Sequence, residues 1–315
     1  MENKNKLLQI VNEQKIFILI VLFGMFMAFR SPFFFTYYNI VNIFSAMSIN
    51  GVIVIGMAYL IILGEIDLSV GAIMAFSGVL AVLLQEYGVA IGVIAGILGG
   101  AIVGLVNGLL VTKLKLSSIP VTLGMMVMVN GIVFALTKSQ SVKGTNVDFM
   151  KIAQPLFANI PGYVIIFIAL LIIFQIILRK TVLGRNVYAV GGNITASRFF
   201  GIKVDNVRIF GFVLAGVMAG IAGILVTAKI NVASGRIGAN TAVIIITAVL
   251  LGGVSLAGGE GSVLKAFQGI FLIALLNNSL VLLQISPFIQ DMIRGSILII
   301  ILIIDAVKVE REKYA

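Results

Sequence analysis

The side chains with chemistry to offer in this sequence are few, and they are set in apolar surroundings. Asn107, Asn130, Gln175, Gln268, Asn277 and Asn278 lie within or at the ends of long apolar runs. An amide turned toward hydrocarbon forfeits its hydrogen bonds, so these groups must find partners and some must face inward. Two roles are open to them: hydrogen bonding between neighbouring helices, and contact with a solute in transit. As uncharged donors and acceptors they suit a hydroxylated cargo better than an ion. The acids Glu65, Asp67, Glu260 and Asp291 fall near the ends of apolar runs, and none stands clearly at the centre of one. That counts against an ion-coupled secondary carrier, which commonly uses an acid within the membrane as proton relay or ion ligand. The candidate pathway or gating residues are Asp67, Asn107, Asn130, Gln268, Asn277 and Asn278.

Other chemistries are excluded by composition. The 315 residues include no Cys, His or Trp, which removes disulfides, thiolate and imidazole metal sites, cysteine nucleophiles and every His-dependent triad. No catalytic residue, metal ligand or cofactor site is expected. A phosphate loop of the form G-x-x-x-x-G-K-[ST] is absent, so energy for uphill movement must come from a partner. The net charge of +10 is scattered over termini and short loops rather than gathered in one patch, which reads as membrane topology and not as a nucleic-acid surface.

The elements that must position these groups are apolar helices. Hydrophobic residues make up 60% of the chain and charged ones 11%, against about 45–50% and about 25% in an ordinary soluble domain. Apolar stretches recur from Ile16 to Ile304, so lipid is the solvent for most side chains. The fold class expected is an all-α polytopic membrane protein, a single transmembrane domain over 1–315 with helices near 16–30, 42–63, 68–84, 88–111, 119–136, 162–178, 209–228, 241–256, 263–283 and 288–305. Residues 16–29 lack a small-residue cleavage site after them and read as an uncleaved first span. The turn at Gly64–Asp67 and the glycine-rich 252–262 are candidates for broken or re-entrant backbone.

Ten spans put both termini on one face. With the termini inside, cytoplasmic segments hold fourteen Lys and Arg and outer segments six, so the tails 1–15 and 306–315 are assigned to the cytoplasm. Residues 137–161 become an outer loop and 179–208 a basic cytoplasmic one. In the latter, a short helix over Ile194 to Phe200 is opened by Gly191-Gly192-Asn193 and ended by Gly201. Gly192 and Gly201 are read as positions needing positive φ. Such a knob is either an ordinary basic loop or a lever for a cytosolic ATPase. Gly92, Gly96, Gly100, Gly104 and Gly108 repeat every four residues along the fourth span and form one stripe. The stripe fits tight helix packing within one subunit, a moving seam or a dimer contact.

Four segments carry a family resemblance: GEIDLSVGA at Gly64–Ala72, SSIPVTLGMMVMVNG at Ser117–Gly131, GRNVYAVGGNITASRFFGIKV at Gly184–Val204, and LLGGVSLAGGEGS at Leu250–Ser262. In that order they resemble the ribose-type permease family of bacterial ATP-binding-cassette importers, over nearly all of the chain after about residue 40. The resemblance implies a permease of the bacterial plasma (inner) membrane. Its implied partners are a cytosolic ATPase subunit, an extracytoplasmic solute-binding protein that delivers a monosaccharide, a second permease copy or paralogue completing a dimer, and lipid. It places the ATPase-coupling helix in the sixth-to-seventh loop, with Gly191, Gly192, Asn193, Ala196, Arg198 and Gly201 on the family pattern.

Two departures stand out. Glu65 replaces the second glycine of the family's GGIDLSVG, adding an acid at a turn, and Ala239-Asn240 stand where an acidic-Leu pair is usual, which is compatible with a heterodimer. Leu63–Gly71 and Leu251–Gly259 share several Leu, Ser and Gly positions, through chance or through duplication, and as paired broken helices they would form gating elements.

Overall fold

The computed structural model describes residues 15–157 and 159–313. The tail expected at 1–15 lies, but for Lys15, outside them. The helices are α1 (Lys15–Arg30), α2 (Tyr37–Ile62), α3 (Val70–Leu84), α4 (Val89–Lys113), α5 (Ser118–Thr137), α6 (Val147–Met150), α7 (Gly162–Lys180), α8 (Val182–Gly192), α9 (Ile194–Phe199), α10 (Val204–Ile230), α11 (Thr241–Leu251), α12 (Val263–Leu282) and α13 (Pro287–Lys313). Among the described residues seven of these, α2, α3 with its following turn, α4, α5, α7, α10 and α12, are long and apolar enough to cross a membrane, and α1 and α11 are shorter apolar helices. Among the described residues strands are confined to two short antiparallel pairs. The chain is an all-α polytopic membrane protein.

α2 is the axis of the bundle. Its residues from Gly51 to Ile62 are buried without interruption, as expected of a helix that is apolar all round and enclosed by neighbours. α10, α12, α7 and α11 pack around it. The outer helices keep one apolar face free: Ile94, Leu98 and Ile102 on α4, and Ile172, Ile173 and Ile176 on α7, are exposed.

The glycine stripe sets how closely α4 approaches its neighbours. A Cβ on Gly92 would meet the Ala81 carbonyl of α3, one on Gly96 the Ser77 carbonyl, and those on Gly100, Gly104 and Gly108 the backbone of α10 at Gly216, Phe212 and Ile209. The contact is reciprocal, because a Cβ on Gly216 would strike the Gly100 carbonyl. All five glycines therefore meet backbone of their own subunit. Gly100→Leu is expected to force α4 from α10 and to cost about 3 kcal/mol or more, measured as a fall in the thermal midpoint of the detergent-purified protein.

α11 is shorter than the helix expected at 241–256. Gly252 ends it, and Gly253 follows with φ +86°, a conformation that breaks a helix. Eleven residues span only about 16 Å, too little for an apolar layer of about 30 Å. A short strand at Val232–Ala233 pairs with another at Val142–Lys143, Val142 opposite Ala233, and the chain then runs in to Gly238, which packs backbone to backbone on Gly71. Broken backbone thus lies at 231–240 as well as at 63–69 and 252–262. The segment 306–313 continues α13 as helix.

Candidate functional site

At one end of the bundle three distant segments interlock through glycine. The Ile62 carbonyl, at the end of α2, accepts the Gly259 N–H at 2.7 Å. Gly191, near the end of α8, lies against the same carbonyl with no room for a Cβ. Gly258, at φ +82°, has its missing Cβ facing the Gly191 carbonyl at 2.7 Å and the Gly64 N–H at 3.1 Å. The two similar segments 63–71 and 251–259 touch at this point. Tyr188, one turn back on α8, donates its hydroxyl to the Gly261 carbonyl at 2.7 Å. Burial pushes the Tyr188 pKa upward, against a smaller opposing pull from Arg179, so the hydroxyl stays protonated and able to donate.

From this junction α9 projects. Asn193 caps it, its Oδ1 accepting the Ala196 N–H at 2.9 Å, and Gly201 leaves it at φ +77°. Gly192 needs no such freedom: it closes α8 in helical conformation with open space where a Cβ would stand. Ser197 is buried under the knob while Phe199 and Phe200 are 86% and 85% exposed. Asp205 ties the base together, accepting Lys113 at 2.9 Å and facing Arg198 at 3.6 Å. These pairs are exposed and contribute about 0–1 kcal/mol, so the caps and glycines hold the shape.

Beside the junction, the broken segment between α2 and α3 carries a buried polar network. Asp67 accepts the Ser69 N–H at 2.7 Å, the Ser69 hydroxyl, and the Asn107 amide at 3.1 Å. Ser118 and Thr122 of α5 receive the N–H groups of Ile66 and Leu68 at 3.4 and 3.1 Å. Two candidates 40 residues apart, Asp67 and Asn107, therefore meet. Glu65 is paired with Arg208 of α10, whose Nε donates to Oε1 at 2.8 Å and whose Nη2 reaches the same oxygen. The extra acid at the turn thus has a buried counter-ion, one that sequence reasoning missed for want of any local signal.

At the opposite end lies a cavity of about 520 Å³ between α2, α11, α12 and α13. Asn277 and Asn278 line it, with Asn42, Asn50, Gln290 and Arg294. Asn278 exchanges amide hydrogen bonds with Asn39 at 2.7 and 3.0 Å. Asn277 accepts from Arg294 Nε at 3.0 Å. Asn42, Ala46 and Asn50 share one face of α2 by their four-residue spacing, a signal that could have been read from sequence. Asn130 and Gln268 are half-buried and do not line the cavity. Gln175 accepts the Leu264 N–H at 3.1 Å and ties α7 to the start of α12.

An apolar bundle with polar groups turned inward, an amide-lined cavity at one end and a glycine-locked knob at the other defines a membrane transport subunit. The family described as "Branched-chain amino acid transport system / permease component" matches residues 39–302, and the chain belongs to it. It is 37% identical to the ribose import permease protein RbsC of Bacillus subtilis over 297 residues, 93% of this chain and 91% of that one. To the L-arabinose transport system permease protein AraH of Escherichia coli it is 36% identical over 279 residues, 88% and 85% of the two chains. To RbsC of Escherichia coli it is 33% identical over 303 residues, 93% of each. No solved structure matches. The chain is a multi-pass plasma-membrane permease subunit of an ATP-binding-cassette importer, and not itself an enzyme.

Proposed function

We propose that this permease carries a monosaccharide or similar neutral hydroxylated solute, alternating between outward- and inward-open states under the drive of a cytosolic ATPase that docks on α9. The observation that carries the proposal is the convergence of 62–64, 188–192 and 258–261 on the Ile62 carbonyl, directly beside the protruding α9. A push on α9 reaches α2, the bundle axis, and the broken segment holding Asp67 through backbone contacts with no soft side chain between. The relatives named for ribose and arabinose support a sugar as cargo, as does a cavity furnished with amides.

The charge bias of fourteen against six supports ten crossings with both termini and α9 in the cytoplasm, the non-helical 231–240 and α11 together making one crossing. In this arrangement the amide cavity faces outward, where a solute-binding protein delivers sugar, and a second permease copy or paralogue completes the path. The coupling residues are Gly191, Gly192, Asn193, Ala196, Arg198 and Gly201, and the inner gate includes Asp67 and Asn107. In proteoliposomes, hydrolysis by the cognate ATPase is expected to rise when the sugar-loaded binding protein is enclosed on the outer side; equal rates with and without it would overturn the assignment. Phe199→Ser with Phe200→Ser is expected to reduce uptake by roughly tenfold or more, since apolar anchors at an interface centre contribute about 2 kcal/mol or more each. Membrane insertion should be retained, as read by the yield of folded protein.

A further inference from the structure

We infer that the cavity opposite the junction is a weak binding site for a neutral polyol, with Arg294 as its directing donor and Asp291 as the group that keeps it electrically neutral. The inference rests on the transport reading and adds to it which residues choose the solute.

A guanidinium carries five N–H donors in a planar fork. Arg294 engages three of them within the protein: Nε with Asn277 Oδ1 at 3.0 Å, Nη1 with Asp291 Oδ1 at 2.6 Å, and Nη2, at 3.4 Å, with Gln290 Oε1. One N–H on each terminal nitrogen remains, in the guanidinium plane that the other three bonds hold. Each can take a hydroxyl oxygen of a solute. On the facing wall Asn42 and Asn50 stand two turns apart on α2, and their side-chain amides make no hydrogen bond among the described residues. Each offers a donor pair and an acceptor, as alternating hydroxyls require. Met47, Ile270 and Ile273 supply apolar wall for the C–H faces of a sugar. The volume, about 520 Å³, lies within the range of roughly 300–1,000 Å³ usual for small-molecule sites.

The charge balance selects against acids. An isolated arginine in such a cavity would attract an anionic solute, but the Asp291 carboxylate, 67% exposed and one turn away on the same helix, sits 2.6 Å from Nη1 and offsets part of its charge. A solute with hydroxyls alone displaces no ion pair. The absence of any free charge also keeps the site weak, and a transport path needs a ligand that leaves as readily as it enters.

The test is ligand-observed NMR on the purified permease–ATPase complex in nanodiscs without the binding protein, titrating D-ribose, L-arabinose, the corresponding aldonates and L-leucine. Binding of at least one of the two sugars, and of neither aldonate nor leucine, is expected. Arg294→Gln should weaken sugar binding by about tenfold or more. Asn42→Leu should do the same, and because Asn42 is exposed and unbonded this change should not disturb folding. Asp291→Asn should raise aldonate affinity by about tenfold. Sugar affinity unchanged in both Arg294→Gln and Asn42→Leu overturns the inference, as does wild-type binding of an aldonate or leucine in preference to sugar. If loaded binding protein stimulates hydrolysis while no sugar contacts the cavity, the site fails and the transport reading stands. If stimulation itself is absent, the transport reading fails and the site with it.

Discussion

Gly191→Ala is expected to abolish uptake and to lower the thermal midpoint of the purified protein, while Gly192→Ala, one residue along, leaves the midpoint where it was. The two glycines are adjacent, close the same helix and differ only in what surrounds them. A Cβ at 191 would overlap the Ile62 carbonyl oxygen and stand 2.7 Å from the Gly259 nitrogen, whereas at 192 it meets nothing within 4 Å. Relief requires either α8 or the 258–261 segment to move away from the end of α2. Either movement weakens the 2.7 Å bond from Gly259 to Ile62, leaving buried backbone groups short of a partner at about 1–3 kcal/mol. Displacing packed backbone adds about 1–3 kcal/mol more. The sum is on the order of 3 kcal/mol or above, enough to open the junction through which a push on α9 would travel. Thermal unfolding of both variants in detergent, with uptake in cells, checks this. Equal midpoints for the two would show that the close approach at 191 has no energetic weight.

What could be read before any coordinates follows from the range of the physics involved. The α4 stripe, the cap at Asn193 and the left-handed exit at Gly201 are local, written in spacings of three or four residues and in the conformational freedom of glycine. They sit in the structure where sequence periodicity and cap chemistry put them. The meeting of Ile62, Gly191 and Gly259 is not local, because the segments lie more than sixty residues apart in the chain and nothing in any one of them names the others. Asp67 and Asn107 were visible singly as polar groups in apolar surroundings, but their hydrogen bond depends on α4 lying against the broken segment. Backbone breaks are expected where glycines cluster. The turn-rich run at 231–240 contains only two glycines, Gly235 and Gly238, and is left-handed at Asn231 and Asn240 as well as at Gly238, asparagine being a residue type that tolerates it. The amide-lined cavity is half legible: Asn277 and Asn278 stand out in an apolar run, while Asn42 and Asn50 announce themselves only through the spacing that puts them on one helix face.

Arg208→Met is expected to destabilise the protein by about 3–5 kcal/mol, and adding Glu65→Leu is expected to restore most of the loss. The side chains of Arg208 and Glu65 are only 15% and 7% exposed, so each has surrendered most of its hydration and depends on the other. Breaking such a pair from one side leaves an uncompensated buried charge, and that is where the cost of about 3–5 kcal/mol arises; replacing both members with apolar groups is often close to neutral. Position makes the first case severe here. Glu65 and Asp67 are both buried in the same turn, so without Arg208 the Glu65 carboxylate is left without its counter-ion in a segment that already holds a second acid. The pair also fixes the start of α10 against the end of α2, on the same side as α9. A pair that stabilised only the local turn would therefore leave uptake intact when both members are replaced, whereas a pair that transmits force from α10 to α2 would leave a stable protein that does not transport. Thermal midpoints of the two single variants and the double variant give the coupling energy, expected to exceed about 2 kcal/mol. A double variant as unstable as Arg208→Met alone would show that the arginine acts through packing of its aliphatic stem and not through its charge.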